Sequence, residues 1–395
     1  MKLYLIGTGL SPDTLTAEAA AAIRKADLLI GAARMLQPYA DSGKQCVSTY
    51  NSQEIAAILH DTDAACAAVL FSGDSSFFSG AKKLLPLVDD LHPTVLAGIS
   101  SAAAFCAKIG ISYEQMKYIS LHGKDSAAAI HAYRNRHCFF LLGGSVSAAD
   151  LCRRLCDYGM HDLTVYIGEN LVLEQEAVYH GKAADFLTHP AKTLTVLVTE
   201  NPQPVRYLPS AIPDNAFLRT KIPMTKAEIR CCAVSQLRIP ENAVCWDIGC
   251  GTGSVSVEMA YCCPDGTVYA IDRNPDAVSL TAQNAAKFHC DNIIPAEGCC
   301  PEILADAPAP DCVLIGGSGG NLDAIITAAC SKNPAVRIAV TAVSIETLTQ
   351  AVACFKSRAI PYSLSHIAVT RTKICGSHTM PAPLNPVYLL IGGNA

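Results

Sequence analysis

Residues 201–223, NPQPVRYLPSAIPDNAFLRTKIP, hold five prolines and no helical period, and they interrupt a 395-residue chain that otherwise alternates β-rich runs with Ala-rich helical stretches. Proline fixes φ and removes a backbone donor, so neither a helix nor a central strand can run through such a stretch. The expected organisation is two α/β domains, residues 1–205 and 224–395, joined by a Pro-rich linker over 206–223. Before the break, β-rich runs are expected at 2–6, 28–30, 55–59, 67–71, 94–96, 117–121, 137–142, 164–168 and 193–198, with helices at 14–25, 102–109 and 148–158. Such alternation predicts a largely parallel sheet covered by helices. After the break, helices at 226–237, 255–262, 276–288, 322–330 and 345–357 alternate with strands at 243–248, 267–271, 292–296, 312–315 and 337–343. Two last strands, 362–369 and 387–391, have no helix between them and should close the sheet as an antiparallel pair at its edge.

Thirty basic against 35 acidic side chains leave a formal charge of -5, and no Lys/Arg block resembles the footprint of a nucleic-acid or anionic-membrane binder. The opening MKLYLIGTGLSPDT turns from apolar to Gly and Pro after six residues. That is too short for a signal-peptide core, and no apolar run approaches the ~20 residues of a membrane span. A soluble, cytoplasmic protein without a nucleic-acid or membrane partner is expected. The 19 cysteines sit inside helix or strand patterns or in adjacent pairs, with no CxxC and no Cys/His spacing of a zinc site. They read as small buried hydrophobes in a reducing compartment, and no metal site is expected.

In the second half, Asp247-Ile248-Gly249-Cys250-Gly251-Thr252-Gly253 follows a strand and opens a helix, where close backbone approach to a ligand needs residues without Cβ. Asp272 ends the next strand, 19 residues after Gly253, where a carboxylate can accept both ribose hydroxyls of a nucleoside. A pyrophosphate cofactor favours GxGxxG; GxGxG after an Asp-bearing strand suits S-adenosylmethionine, with Asp247 facing its positive amino group.

With MTKAEIR, WDIGCGTGSVSVEMA, AIDRNPDAV, APDCVLIGGSGGNLDAII and LNPVYLLIGG in this order, the chain from about residue 215 onward resembles the C15-methylating, decarboxylating domain of corrin biosynthesis. The resemblance implies that Thr225, Gly249, Gly251, Gly253, Asp272, Gly298 and Cys300 surround S-adenosylmethionine. One departure is that a loop usually reading EGDAPE is EGCCPE here. Cys299 cannot accept the hydrogen bond that a carboxylate would take from an adenine amino group, so weaker donor binding or an adenine held by backbone is implied.

In the first half, Gly7-Thr8-Gly9-Leu10-Ser11-Pro12, Ser72-Gly73-Asp74-Ser75 and Gly98-Ile99-Ser100-Ser101 each follow a strand, so three strand ends bring small residues to one rim. Open α/β sheets bind ligands there. With SLHGK at 120–124 and GENL at 168–171, residues 1–202 resemble the tetrapyrrole methylase superfamily in its C5-methylating corrin branch. The resemblance implies a second S-adenosylmethionine site at Gly7, Gly9, Gly73, Asp74, Ser75, Ser100 and Ser101. The superfamily's GxGPG reads GTGLSP, and its GDP reads GDS, which leaves that loop less stiff. His122, just past a strand, is the candidate for a catalytic role. Asp74 either orients its loop or contacts the donor, and Glu169 and Asn170 serve either a turn or the cofactor.

The implied fold class is α/β: a tetrapyrrole methylase (class III) fold followed by a class I, Rossmann-like S-adenosylmethionine methyltransferase with an antiparallel edge strand. The implied function is bifunctional methylation of a precorrin or cobalt-precorrin at C5 and C15, with loss of the ring C acetate carboxylate. Two donor sites per chain, S-adenosylhomocysteine as product and a homo-oligomer go with it. A substrate with many carboxylates calls for basic residues. Arg219, Lys221, Lys226 and Arg230 precede the second sheet, and Arg371, Lys373 and His378 precede the last strand, with Arg371 the leading candidate to touch substrate. Two other readings are an RNA methyltransferase and a donor-binding scaffold with one active domain. The first lacks a basic stripe and an Asn-Pro-Pro-aromatic element, having Ile315-Gly316-Gly317-Ser318-Gly319-Gly320 at that place. The second is motivated by Cys299 and Ser75.

Overall fold

A computed structural model of the chain describes residues 1–123, 126–205 and 210–393; Lys124 of the SLHGK motif and the first four linker residues lie outside them. The described residues form two compact units. The first takes those of 1–124, 137–150 and 164–200, the second those of 125–136, 151–163 and 201–395. The division is therefore no single cut near residue 205. Residues 125–136 join the second unit because the Asp291 carboxylate accepts the backbone N–H groups of Ala128, Ala129 and Ile130 at 2.6–3.1 Å, capping helix Ala129–Arg134.

The first unit holds two five-stranded sheets rather than one. Strands β1 (Lys2–Gly7), β2 (Leu28–Gly31), β3 (Gln45–Ser48), β4 (Cys66–Phe71) and β5 (Thr94–Leu96) form a wholly parallel sheet in the order β3-β2-β4-β1-β5. The inner strands β1, β2 and β4 are buried on both faces, which the pleat divides cleanly. Leu3 and Leu5 of β1 pack with Ile55 and Leu59, whereas Tyr4 and Ile6 pack with Ala19, Ala22 and Ile23 of helix Ala17–Lys25. Residues 55–59, read as a β-rich run, lie in helix Ser52–Asp61. Asn51 caps it by accepting from the N–H groups of Gln53 and Glu54, and Ile55, Ala56 and Leu59 fall on one buried face at helical spacing.

The second sheet of this unit has β6 (Lys117–Ser120), β7 (His137–Leu141), β8 (Thr164–Glu169), β9 (Ala177–Lys182) and β10 (Thr195–Glu200) in the order β6-β7-β10-β8-β9. Only β6 and β7 run parallel; β10 is antiparallel to β7 and β8, and β9 to β8. The expectation of one largely parallel sheet thus fails for this part, because β8 returns to β9 without a covering helix.

The second unit is the predicted Rossmann-like sheet. Strands β11 (Val244–Ile248), β12 (Thr267–Asp272), β13 (Ile293–Glu297), β14 (Cys312–Ile315), β15 (Arg337–Ala342), β16 (Tyr362–Ile367) and β19 (Val387–Gly392) lie in the order β13-β12-β11-β14-β15-β19-β16. Strand β19 is antiparallel to both neighbours, as the two strands without an intervening helix require. Between β16 and β19, β17 (Thr370–Cys375) and β18 (His378–Pro383) form a separate hairpin that the sequence pattern did not mark.

Residues 212–225 pack on this unit instead of spanning freely, because Ile212 and Phe217 enter its core. Arg230, one of the basic residues expected to meet substrate carboxylates, is fully buried. It donates to Glu258 Oε1 (2.7 Å), to the Thr225 carbonyl (2.7 Å) and to the Ile212 carbonyl, with Phe217 beneath its guanidinium. All 19 cysteines are free, ten of them buried, and burial pushes thiols such as Cys138 up to about 12. Among the described residues no helix is long and apolar enough to cross a membrane, and no group of three His, Cys, Asp or Glu side chains could hold a metal.

Candidate functional site

In the second unit β11 turns through Gly249–Gly253 into helix Ser254–Cys262, and Gly249, Gly251 and Gly253 take φ of +75°, +56° and +72°. A Cβ on Gly249 would stand 2.6 Å from the backbone nitrogen of Gly317, so this turn and the loop after β14 touch through glycines. Beside that contact, at the C-terminal ends of the parallel strands, opens a cavity of about 400 Å³. Of the residues singled out in the sequence, Gly249, Gly251, Asp272, Gly298, Cys299 and Cys300 line it. Asp272 accepts from the Gly251 and Asn274 N–H groups, each at 3.0 Å, and retains acceptor capacity on both oxygens. Burial pushes the Cys300 thiol up to about 11, so the wall carries a neutral sulfur there.

Thr225, Asp247 and Gly253 are not on the cavity wall. Gly253 brings its helix against Thr281, whose Cγ2 would lie 2.8 Å from an added Cβ. Asp247, 1% exposed, accepts from the Ser256 hydroxyl at 2.5 Å. Burial raises its carboxyl to about 7 against the lowering effect of Ser256, and the neighbouring Asp272 charge adds to the rise. Sequence reasoning passed over Ile222, Pro223, Gly317 and Asn321 as wall residues, although the GGSGG run after β14 carried the signal for two loops meeting without side chains.

Arg371 lies on β17 with its guanidinium on Glu228 (2.8 and 2.6 Å) and Asp214 (2.9 Å). These two carboxylates, foremost Glu228, hold it far above the usual arginine range. The hairpin is thereby tied to the start of helix Ala227–Leu237. Lys373 and His378 are exposed on the same hairpin.

In the first unit the three strand ends converge as expected. A Cβ on Gly98 would come within 2.3 Å of the Gly73 carbonyl oxygen and 2.6 Å of that of Gly7, and Gly9 and Gly73 exchange backbone hydrogen bonds at 3.0 and 2.8 Å. A cavity of about 280 Å³ sits on this junction, lined by Gly73, Asp74, Ser100, Ser101 and His122 and by Thr193–Val196, which lead into β10. His122 packs so closely on Gly143 that a Cβ there would lie 2.3 Å from Nδ1. Gly9 lines an adjoining cavity of about 310 Å³, while Gly7 and Ser75 line neither.

Asp74 orients its loop: Oδ1 accepts from the Ser76 N–H (2.8 Å) and hydroxyl (2.5 Å), and Oδ2 from the Gly98 N–H (2.9 Å). Burial works to raise its pKa, but these hydrogen bonds prevail and hold it below the usual carboxylate range. Ser75, which was expected to slacken the loop, is buried and donates to the Leu96 carbonyl at 3.0 Å, so a hydrogen bond does what proline's ring would do. Glu169 is buried against His189 Nε2 (2.9 Å), and Asn170 takes φ +48° in the turn that follows.

Residues 216–391 match the model of the precorrin methyltransferase domain, and residues 2–187 that of the tetrapyrrole (corrin/porphyrin) methylases. A probable cobalt-precorrin-6B C(15)-methyltransferase (decarboxylating) of Pyrobaculum calidifontis is 41% identical over 187 residues, 47% of this chain and 96% of that protein. Its counterpart from Methanothermobacter thermautotrophicus is 36% identical over 186 residues, 46% and 96% of the two chains. A crystal structure of precorrin-6Y C5,15-methyltransferase from Geobacter metallireducens is 36% identical, covers 47% of this chain and 97% of its own, and has a TM-score of 0.45.

Proposed function

The chain belongs to the precorrin methyltransferase family, and on that premise we propose that it methylates a precorrin or cobalt-precorrin at C5 in its first unit and at C15 in its second, with loss of the ring C acetate carboxylate there. One observation carries the bifunctional reading: each unit has its own cavity at strand ends held together by glycines, and each is matched by a different methylase model. The methyl donor of such enzymes, S-adenosylmethionine, supplies a methyl group on a positively charged sulfur.

The residues present fit that donor at both places. In the second unit, Gly249 and Gly317 leave backbone bare where side chains would fill the cavity, and Asp272 offers carboxylate oxygens to ribose hydroxyls. Asp247 supplies a carboxylate beneath the turn, and Cys299 and Cys300 are the wall residues that would meet the base. In the first unit, Gly73, Ser100 and Ser101 present backbone and hydroxyl groups, Asp74 stiffens their loop, and His122 is the side chain on the wall able to move a proton. Thr225, Gly253, Gly7 and Ser75 support these loops from behind. Methyl transfer to an electron-rich carbon needs alignment and exclusion of water rather than an enzyme nucleophile.

On the acceptor side Arg371, exchanging Glu228 for a substrate carboxylate, is the residue of the second unit proposed to touch the corrin. A homo-oligomer in the cytoplasm completes the proposal. It is supported by exposed Ile374 (82%) and Met380 (47%) on the β17–β18 hairpin and by the free thiols. The test is mass spectrometry of the corrin product after incubation of the full chain with donor and either metal-free or cobalt-loaded substrate. Gain of two methyl groups with loss of CO₂ is expected; a product with one methyl group removes one of the two activities.

A further inference from the structure

The two cavities of the first unit adjoin, and both are lined by Leu10, Arg34, Ser72 and Leu173. Arg34 is the cation common to them. It is exposed in the short helix Ala33–Leu36, and among the described residues it has neither an ion pair nor a hydrogen bond. No acidic residue lines the cavity of about 310 Å³, whose polar side chains besides Arg34 are the neutral Thr8, Ser11, Gln37, Tyr39 and Ser72. In the neighbouring cavity the one carboxylate, Asp74, already accepts from Ser76 and Gly98. An uncompensated guanidinium over a neutral wall is a site for an anion, and its planar fork suits a carboxylate. Arg371 in the second unit is the opposite case, with carboxylates of its own chain already on its guanidinium.

Resting on the function proposed above, we propose that the 310 Å³ cavity takes the edge of the corrin acceptor and that Arg34 holds one of its acetate or propionate carboxylates. The donor occupies the neighbouring cavity with the Gly73 and Ser100 loops. The shared residues set which ring edge meets the methyl group: Arg34 fixes the ring by a peripheral carboxylate, and Leu10 and Leu173 give the junction an apolar wall. Arg34 is thus a binding and specificity residue for the C5 step.

The test uses the full chain, comparing wild type, Arg34→Ala and Arg34→Lys with the same corrin substrate and separate readout of C5 and C15 methylation. Loss of one charge-assisted contact should raise the acceptor KM of the C5 step about tenfold or more in Arg34→Ala. Its kcat, the affinity of the first unit for S-adenosylhomocysteine, and C15 methylation with CO₂ release should stay within about twofold of wild type, a margin small beside that tenfold change. Arg34→Lys should recover part of the loss, because a point charge replaces the fork. An unchanged C5 KM in Arg34→Ala, or a parallel loss of S-adenosylhomocysteine affinity, overturns the assignment while leaving the C5 activity standing. A wild-type chain that makes no C5-methylated product overturns the functional reading itself.

Discussion

Under the strand-end loops of the first unit, Asp74 has its carboxylate oxygens on Ser76 and Gly98 donors and remains ionised; under the glycine turn of the second, Asp247 is sealed from water with one hydroxyl partner, and its carboxyl rises to about 7. The same residue type in a comparable place therefore differs in charge state near neutral pH, and the cause is the number of hydrogen-bond donors set against burial. In the first unit Asp74 is a fixture of the loop. In the second, the carboxyl can still respond to a cation placed above it.

The largest expected effect tests whether the two units stand on separate foundations. Arg230→Ala leaves Glu258 buried without its cation and should destabilise the second unit by about 3–5 kcal/mol. Denaturant unfolding followed at Trp246, the single tryptophan and part of that unit's core, reads this directly. Donor binding by the first unit should persist under conditions that unfold the second.

The next effect concerns the cradles. Gly249→Val puts a branched side chain at a positive φ and against Gly317, and should weaken donor binding in the second unit by about 100-fold or more. Calorimetry should then show one binding event in place of two, and loss of both events would mean that the sites are not independent.

A smaller effect separates the two carboxyls by pH. The folded Asp247 value of about 7 lies above its ordinary 3.8. Its contribution to stability is therefore fully present below pH 3.8 and is lost as pH rises towards 7. Asp247→Asn should abolish that slope in Trp246-detected unfolding. A cationic donor favours the ionised carboxyl, so binding in the second unit should release protons and strengthen as pH rises through 7. Asp74, held ionised, should add no such dependence to binding in the first unit; a second-unit slope that survives Asp247→Asn would contradict the contrast. The smallest effect is at Cys299, where Cys299→Asp should tighten donor binding by about three- to tenfold in the second unit alone, measured by the same calorimetry.

The second unit was legible in the sequence because period, glycine turn and terminal acid all agree there; even the antiparallel β19 followed from the missing helix. In the first unit the parallel sheet was legible and so were β6, β7, β8 and β10 as strands, but not the antiparallel order in which the second sheet assembles them. The β9 strand of the first unit, AVYHGK, and the hairpin strands of the second, TRTKIC and HTMPAP, are largely exposed, so no buried face imposes an apolar pattern on them. The cap at Asn51 marked the helix that residues 55–59 alone, a short apolar run, could not distinguish from a strand. Of the candidate site, the turn residues were visible because glycine and serine at strand ends carry their own signal. Arg34 was not, since only the fold brings it beside Ser72 and Leu173. Arg230 misled because a buried cation and a solvated one look alike until Glu258 and the carbonyls of Ile212 and Thr225 are in view.

Calorimetric titration of the full chain with S-adenosylmethionine bears most directly on the claim that each unit carries a donor site of its own. Two equivalents per chain are predicted, one of them strengthening as pH rises through neutrality by a slope that Asp247→Asn removes. A single equivalent, or none, would contradict it.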